Sequence, residues 1–192
     1  QAPLPSNLLA WWKFDEGSGT TAADSSGNGN TGTLTNGPLW TTGQVNGALG
    51  FDGANDYVAL PNALMPNDIN VTWAAWIRLS QLTADTDGIF GYDNANGFSH
   101  ALRVNSGSNP ILFRLRNNLN TNSEIASNTF MSANTWIHIT AIRQGSAMRI
   151  YINGVKDSAS NENTIQGAVP GSGNSVAIGK DSFNNWFNGT ID

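Results

Sequence analysis

The sequence contains no cysteine. Disulfide staples, thiolate metal sites and cysteine nucleophiles are therefore excluded together. Charge is scarce too: Lys, Arg, Asp and Glu make up 12% of the chain, with 9 basic residues against 14 acidic ones and a formal net charge of −5. The basic residues, Lys13, Arg78, Arg103, Arg114, Arg116, Arg143, Arg149, Lys156 and Lys180, are scattered and form no patch in sequence, which argues against a nucleic-acid partner. Glutamate occurs only at Glu16, Glu124 and Glu162, each alone. No strand thus offers the alternating carboxylates that a glycosidase holds across a scissile bond. Apolar runs are too short for a membrane-spanning helix, and helical periodicity is hard to find. The start, Gln1-Ala2-Pro3-Leu4-Pro5, has neither an initiator Met nor an apolar signal core, so it reads as the start of a mature or excised module, with export as the expectation.

What is present is β-rich. With 192 residues, 39% hydrophobic and 9% aromatic, the chain can fill the core of one all-β domain spanning residues 1–192, its solubility resting on Asn, Ser, Thr and Gly. Asn-Gly recurs at Asn28-Gly29, Asn36-Gly37, Asn46-Gly47, Asn96-Gly97, Asn153-Gly154 and Asn188-Gly189, a pair that readily takes the positive φ of tight hairpin turns. Between these, strands are expected at residues 8–14, 32–34, 48–52, 57–60, 71–79, 100–105, 111–116, 125–127, 136–143, 148–152 and 176–179. The segment 82–100 reads as mostly loop around Gly88-Ile89-Phe90-Gly91-Tyr92. In the strand VTWAAWIRL, Val71, Trp73, Ala75 and Ile77 share one face, with Thr72, Trp76 and Arg78 on the other, so it should be central. Trp73 and Trp136 are expected in the core.

The stretch 10–32 is the densest in chemistry. Trp11, Trp12, Lys13 and Phe14 suit a strand that presents large side chains to two surfaces, and Asp15 and Glu16 close it. Asp24, Ser25, Ser26, Gly27, Asn28, Gly29 and Asn30 then offer hard oxygen ligands on a backbone that bends sharply, which suits calcium. The same residues equally make an ordinary surface turn in which Asp24 and Asn28 only cap the backbone.

The blocks WKFDEGSGTTAADSSGNGNTG, GALGFDGANDYVALP, VTWAAWIRL, TWIHITAIRQGSAMRIYINGV, VAIGKD and FNGTID, in that order, resemble the laminin-G-like, concanavalin-A-like jelly-roll domains of secreted bacterial proteins. The resemblance covers nearly the whole chain. It implies an all-β, two-sheet antiparallel jelly-roll sandwich, often attached to polysaccharide-degrading enzymes or cell-surface proteins. It further implies a structural calcium where the N-terminal strand, the Gly/Asn loop and the last strand meet, with Asp15 or Glu16, Gly29 or a neighbour through its carbonyl, and Asp192 at the matching positions. In that family the FNGTID block runs on into another strand, whereas this sequence stops at Asp192. The expectation is that either the sequence ends early, with the final strand truncated, or an edge is left unpaired, and an unpaired edge favours aggregation or swapping.

For ligands, the loop 181–187 is the best platform: Trp186 and Phe183, flanked by Asp181, Asn184 and Asn185, combine aromatic faces for a sugar ring with groups that bond hydroxyls. Trp76 is a further candidate. Arg114 and Arg116 share a strand face and could meet an acidic glycan or sulfate, or simply be solvated. Asp85 and Asp87 are two apart but lie in a loop and suit capping or a second ion, and His100, Tyr92 and Arg103 could be pressed into a lyase-like role without any matching motif; no catalytic residue is assigned. Asn70-Val71-Thr72 and Asn188-Gly189-Thr190 fit the glycosylation pattern. The expectation is a secreted or cell-surface, calcium-stabilised, non-catalytic lectin-like module. Its partners would be a polysaccharide or glycan and the catalytic or surface domains of a larger parent, with no membrane insertion. The alternative is a structural spacer or protein-adhesion domain without a sugar site, and behind it a polysaccharide lyase or glycosidase.

Overall fold

The computed structural model describes residues 5–64, 69–82, 85–93, 99–105, 110–117, 121–157, 167 and 175–192. Its strands are β1 (Thr21–Ala22), β2 (Gly32–Thr35), β3 (Leu39–Thr42), β4 (Gly47–Asp52), β5 (Tyr57–Leu60), β6 (Asn70–Leu79), β7 (Asp87–Asp93), β8 (Ser99–Val104), β9 (Pro110–Arg116), β10 (Asn122–Phe130), β11 (Ile137–Gln144), β12 (Ala147–Ile152), β13 (Val155–Lys156), β14 (Ser175–Ile178) and β15 (Asn188–Ile191). They form two antiparallel sheets, one ordered β1-β2-β5-β14-β7-β8-β9-β10 and the other β13-β12-β11-β6-β15-β4-β3. Sequence neighbours often lie in different sheets, as a jelly-roll sandwich requires.

Alternation explains the packing. Along β9, Ile111, Phe113 and Leu115 turn into the sandwich and Arg114 and Arg116 turn out; along β8, Leu102 and Val104 turn in and Arg103 turns out. Trp73 of β6 joins the sheets, its ring 4.5 Å from that of Phe90 and 5.3 Å from that of Phe113. Trp76 sits on the opposite face of β6, edge-on to His138 of β11 at 5.1 Å. The expected two-faced strand is therefore found, and it is central, between β11 and β15. Trp136 departs from expectation. It precedes β11, is half-buried, and lies under the Arg78 guanidinium at 5.1 Å, because it shares the strand phase of His138 and Thr140, opposite to the buried Ile139 and Ala141.

Asn36, Asn46 and Asn153 do take positive φ, and Asn46-Gly47 and Asn153-Gly154 turn the β3–β4 and β12–β13 hairpins. Asn36-Gly37 instead carries the chain from one sheet to the other, and Asn188-Gly189 opens β15. Asn96-Gly97 lies outside the described residues, as does Glu162. Two further corrections concern strands. Residues 82–100 are less loop than expected, since β7 runs for seven residues at the centre of its sheet. Residues 8–14 form no ladder: Trp12 makes a single bridge to Asp24, and the other edge of the segment borders a cleft.

Candidate functional site

The loop 180–187 lies across the outer face of the eight-stranded sheet. Glycines in β7 make the approach possible: a Cβ on Gly88 would sit 2.1 Å from the Asp181 backbone N, and one on Gly91 would sit 2.5 Å from the Asp181 Cα. Backbone rests on backbone there, so no side chain fits between. Asp181, 2% exposed, is the anchor. Its carboxylate accepts from the backbone N–H groups of Phe183 (2.8 Å) and Asn185 (3.0 Å), from the Asn185 side-chain amide (2.8 Å) and from Arg103 Nη1 (3.3 Å). Turned inward and fully engaged, Asp181 shapes the loop and presents no oxygen to a ligand, contrary to its expected part in bonding sugar hydroxyls. Asn185 spends one amide group on the same purpose, while Asn184, at φ 58°, is exposed at the tip.

Phe183 projects from this loop, 49% exposed, and the guanidinium carbons of Arg103 and Arg114 lie 5.6 and 5.3 Å from its ring centroid. Glu124 of β10 holds both arginines from the far side, 3.5 Å from Arg103 Nη2 and 4.0 Å from Arg114 Nε. A ring clamped by two delocalised cations keeps its orientation. At the other end of the loop, Trp186 packs against Tyr57 of β5 at 5.9 Å, and Lys180 Nζ lies 4.2 Å from the Tyr57 ring and 5.3 Å from that of Trp186. Between these ends a depression of about 190 Å³ is lined by Ser175, Ala177, Lys180, Ser182 and Asn184 among others. The fold thus gathers Phe183, Trp186, Asn184 and Arg114 on one face. Arg116 is on the same strand face, half-buried, its backbone N–H donating to His100 Nδ1. Trp76 belongs to the other sheet and does not join them.

Arg103, Tyr57 and Lys180 were not foreseen as part of this surface. Alternation in β8 and β5 puts Arg103 and Tyr57 on it, but only the three-dimensional pairing of β5 with β14 and of β8 with β7 brings them to the loop. The lyase-like trio does not assemble. His100 and Tyr92 are buried inside, stacked at 4.9 Å, while Arg103 faces outward. Burial, helped by the nearby Arg143 charge, pushes His100 down to about 3, so it stays a neutral core residue. Asp87 is buried and caps Asn188 N–H, and Asp85 is exposed.

The expected calcium ligands fall into two places. Asp24 accepts from the backbone N–H groups of Trp11, Ser26 and Asn30 and from the Ser26 hydroxyl. Burial raises its pKa, but these hydrogen bonds outweigh it and leave the carboxyl below its ordinary value. Asn28 turns its amide nitrogen to the Leu8 and Leu9 carbonyls, and Gly29 takes φ 78° in the same turn. A carboxylate already filled by four donors is a poor cation ligand, so Asp24 and Asn28 fit the capped turn. Asp15 and Asp192 fit better. They flank the β3–β4 turn, Asp15 accepting from Gly47 N–H and Asp192 from Val45 N–H. Burial, with the Asp15 charge adding to it, raises the Asp192 carboxyl above its ordinary value. Among the described residues no three His, Asp or Glu side chains come together as a metal site.

A search of curated proteins finds no match. Solved structures are more informative about the fold. Domain 4 of AbnA, an extracellular GH43 arabinanase of Geobacillus stearothermophilus solved with arabinotriose, superposes at TM-score 0.78 with 22% identity, over 96% of this chain and 89% of that one. The Trypanosoma rangeli sialidase in complex with sialic acid gives 0.63 and 14% identity, over 92% of this chain and 28% of that one. Mouse laminin α1 domains LG4-5 give 0.58 and 13%, over 75% and 39%. The family description that matches residues 52–192 agrees with the two-sheet architecture, and the chain belongs to the concanavalin A-like lectin/glucanases superfamily.

Proposed function

We propose that this domain is a non-catalytic, lectin-like module that binds a glycan on the outer face of its eight-stranded sheet, through Phe183 and Trp186 with Arg114 and Asn184. One observation carries the reading: the Phe183 ring is half exposed and pinned by Arg103 and Arg114. It is therefore ordered before any ligand arrives. A pre-ordered aromatic face loses little freedom on contact with the apolar face of a sugar, while arginine and amide groups around it can bond the hydroxyls. The arabinotriose complex of AbnA domain 4 supports a glycan as the ligand class. In this reading the module is exported and serves a larger polysaccharide-active enzyme or adhesin by raising effective concentration at a polymer. Catalysis is left to other domains, since among the described side chains on this face the carboxylates are Asp181, buried, and Glu124, paired with arginine. Calcium, as part of the proposal, would be held by Asp15 and Asp192 and would tie the N-terminal segment to β15.

The test is affinity electrophoresis against a polysaccharide panel that includes arabinan, with Phe183→Ala and Trp186→Ala as folded controls. Retardation by at least one polysaccharide, lost in Phe183→Ala, is expected. A folded protein that binds none of them would favour the spacer or protein-adhesion reading, which the partial cover of Trp186 by Tyr57 and Lys180 also suits.

A further inference from the structure

Arg103 of β8 and Arg114 and Arg116 of β9 lie on the outward phase of their strands, and Lys180 begins the loop that crosses the same face. Against these four cations, the described side chains of the face supply two carboxylates, Asp181 and Glu124. The chain as a whole carries −5, so the local sign is the reverse of the overall one. Geometry decides which cations stay uncompensated. Asp181 lies 3.3 Å from Arg103 Nη1 and Glu124 lies 3.5 Å from Arg103 Nη2, so one guanidinium takes up both carboxylates. Arg103 is also the less accessible arginine, with 13% of its side chain exposed against 23% for Arg114. Arg114 comes nearest to Glu124 through Nε, at 4.0 Å, and that nitrogen is buried without a hydrogen-bond partner. Its Nη groups lie no nearer. Lys180 is in no ion pair among the described residues, its Nζ facing the rings of Tyr57 and Trp186 at 4.2 and 5.3 Å. Two uncompensated cations thus mark the two ends of the aromatic loop, Arg114 beside Phe183 and Lys180 beside Trp186.

Resting on the reading of this face as a glycan site, we infer that its ligand is an acidic polysaccharide. One sugar ring lies on Phe183 with its anionic substituent, a carboxylate or a sulfate, at the Arg114 guanidinium, and a further acidic sugar of the chain meets Lys180 beside Trp186. A neutral glycan can use the rings and the Asn184 amide, but it offers Arg114 and Lys180 only hydroxyls. An ionised acceptor makes a shorter and stronger hydrogen bond than a hydroxyl, and the planar fork of an arginine meets a carboxylate with two of them. The arginine that steadies the Phe183 ring is then the one that reads the charge of the sugar stacked on it. Long-range forces act in the same sense. An acidic chain is repelled by a protein of net charge −5 except where cations outnumber carboxylates, which draws it to this face.

The experiment is titration calorimetry with charged sugars and their uncharged forms: trigalacturonate and its methyl ester for carboxylate, a κ-carrageenan tetrasaccharide and its desulfated form for sulfate, and arabinotriose as a neutral sugar. At least one acidic sugar should bind at least about tenfold more tightly than its uncharged form. The preference should shrink in about 0.5 M NaCl, where exposed charges are screened within a few ångströms. In Arg114→Gln it should fall to within about threefold, whereas Arg114→Lys, which keeps a cation beside Phe183, should retain most of it. Lys180→Met keeps the apolar stem against Trp186 and should lower the preference about threefold or more. Equal affinity for charged and uncharged forms, or a preference unchanged in Arg114→Gln, overturns the inference. Binding of the neutral sugars alone, lost in Phe183→Ala, overturns the acidic specificity and leaves the glycan site standing. A folded protein that binds none of these sugars removes both.

Discussion

Replacing Asp181 by alanine separates the role of the loop's anchor from that of its aromatic tip. The substitution removes one acceptor for four donors, two of them backbone N–H groups that the loop holds against the sheet. Breaking a buried, charge-assisted pair from one side costs about 3–5 kcal/mol. Arg103 keeps Glu124 at 3.5 Å as a second partner, which places the loss near the lower end, about 3 kcal/mol. Against a total stability of roughly 5–15 kcal/mol, this is large but leaves a folded protein. With a urea m-value of about 2–3 kcal/mol/M, the midpoint should fall by about 1 M or more. Glycan binding should weaken in the same variant at urea-free conditions, because Phe183 and Trp186 lose their common support. A midpoint shift under about 0.3 M would show that the Asp181 hydrogen bonds do not hold the loop, and the account of the site would fail with it.

Three further outcomes follow from the structure. His100 is neutral when folded, with its pKa pushed from 6.5 down to about 3, whereas the unfolded chain binds a proton there near pH 6.5. Its contribution is therefore complete above pH 6.5 and is lost towards pH 3, at up to about 1.4 kcal/mol per pH unit; urea melts between pH 7 and 4 should be visibly less steep in pH for His100→Gln, and equal slopes would contradict this. Gly91→Val forces a side chain into the Asp181 backbone and should cost about 1–3 kcal/mol by urea unfolding; a neutral effect would mean that the loop does not sit on β7 as described. Millimolar calcium should raise Tm relative to EGTA, and Asp192→Ala should abolish the difference; identical melting of the parent protein with calcium and EGTA would remove calcium from the proposal.

The amino-acid pattern reveals the β6 strand and its two faces because Trp73 and Trp76 sit on opposite phases of a clean alternation. It hides β3, an edge strand in which Leu39 is exposed and no alternation marks an inner face. The loop 181–187 is visible as a cluster of aromatics and amides, but the division of labour within it is not. Asp181 could have been a ligand group until the fold supplied Arg103 from 78 residues away. Gly88 and Gly91 were the available signal, two glycines in a strand marking a close backbone approach. The oxygen-rich turn at Asp24 illustrates the converse. Its composition suits a cation, yet its own backbone N–H groups satisfy the carboxylate first.

The central claim is that the glycan site lies on the outer face of the eight-stranded sheet. Its most direct test is a titration of the isotope-labelled protein with the oligosaccharide of whichever polysaccharide retards it, followed by amide chemical shifts. Shifts centred on Phe183, Asn184, Trp186, Arg103 and Arg114, absent in Phe183→Ala, are the expected result. Shifts confined to Thr72, Ala74, Trp11 and Trp12, or unchanged binding in Phe183→Ala, would contradict it.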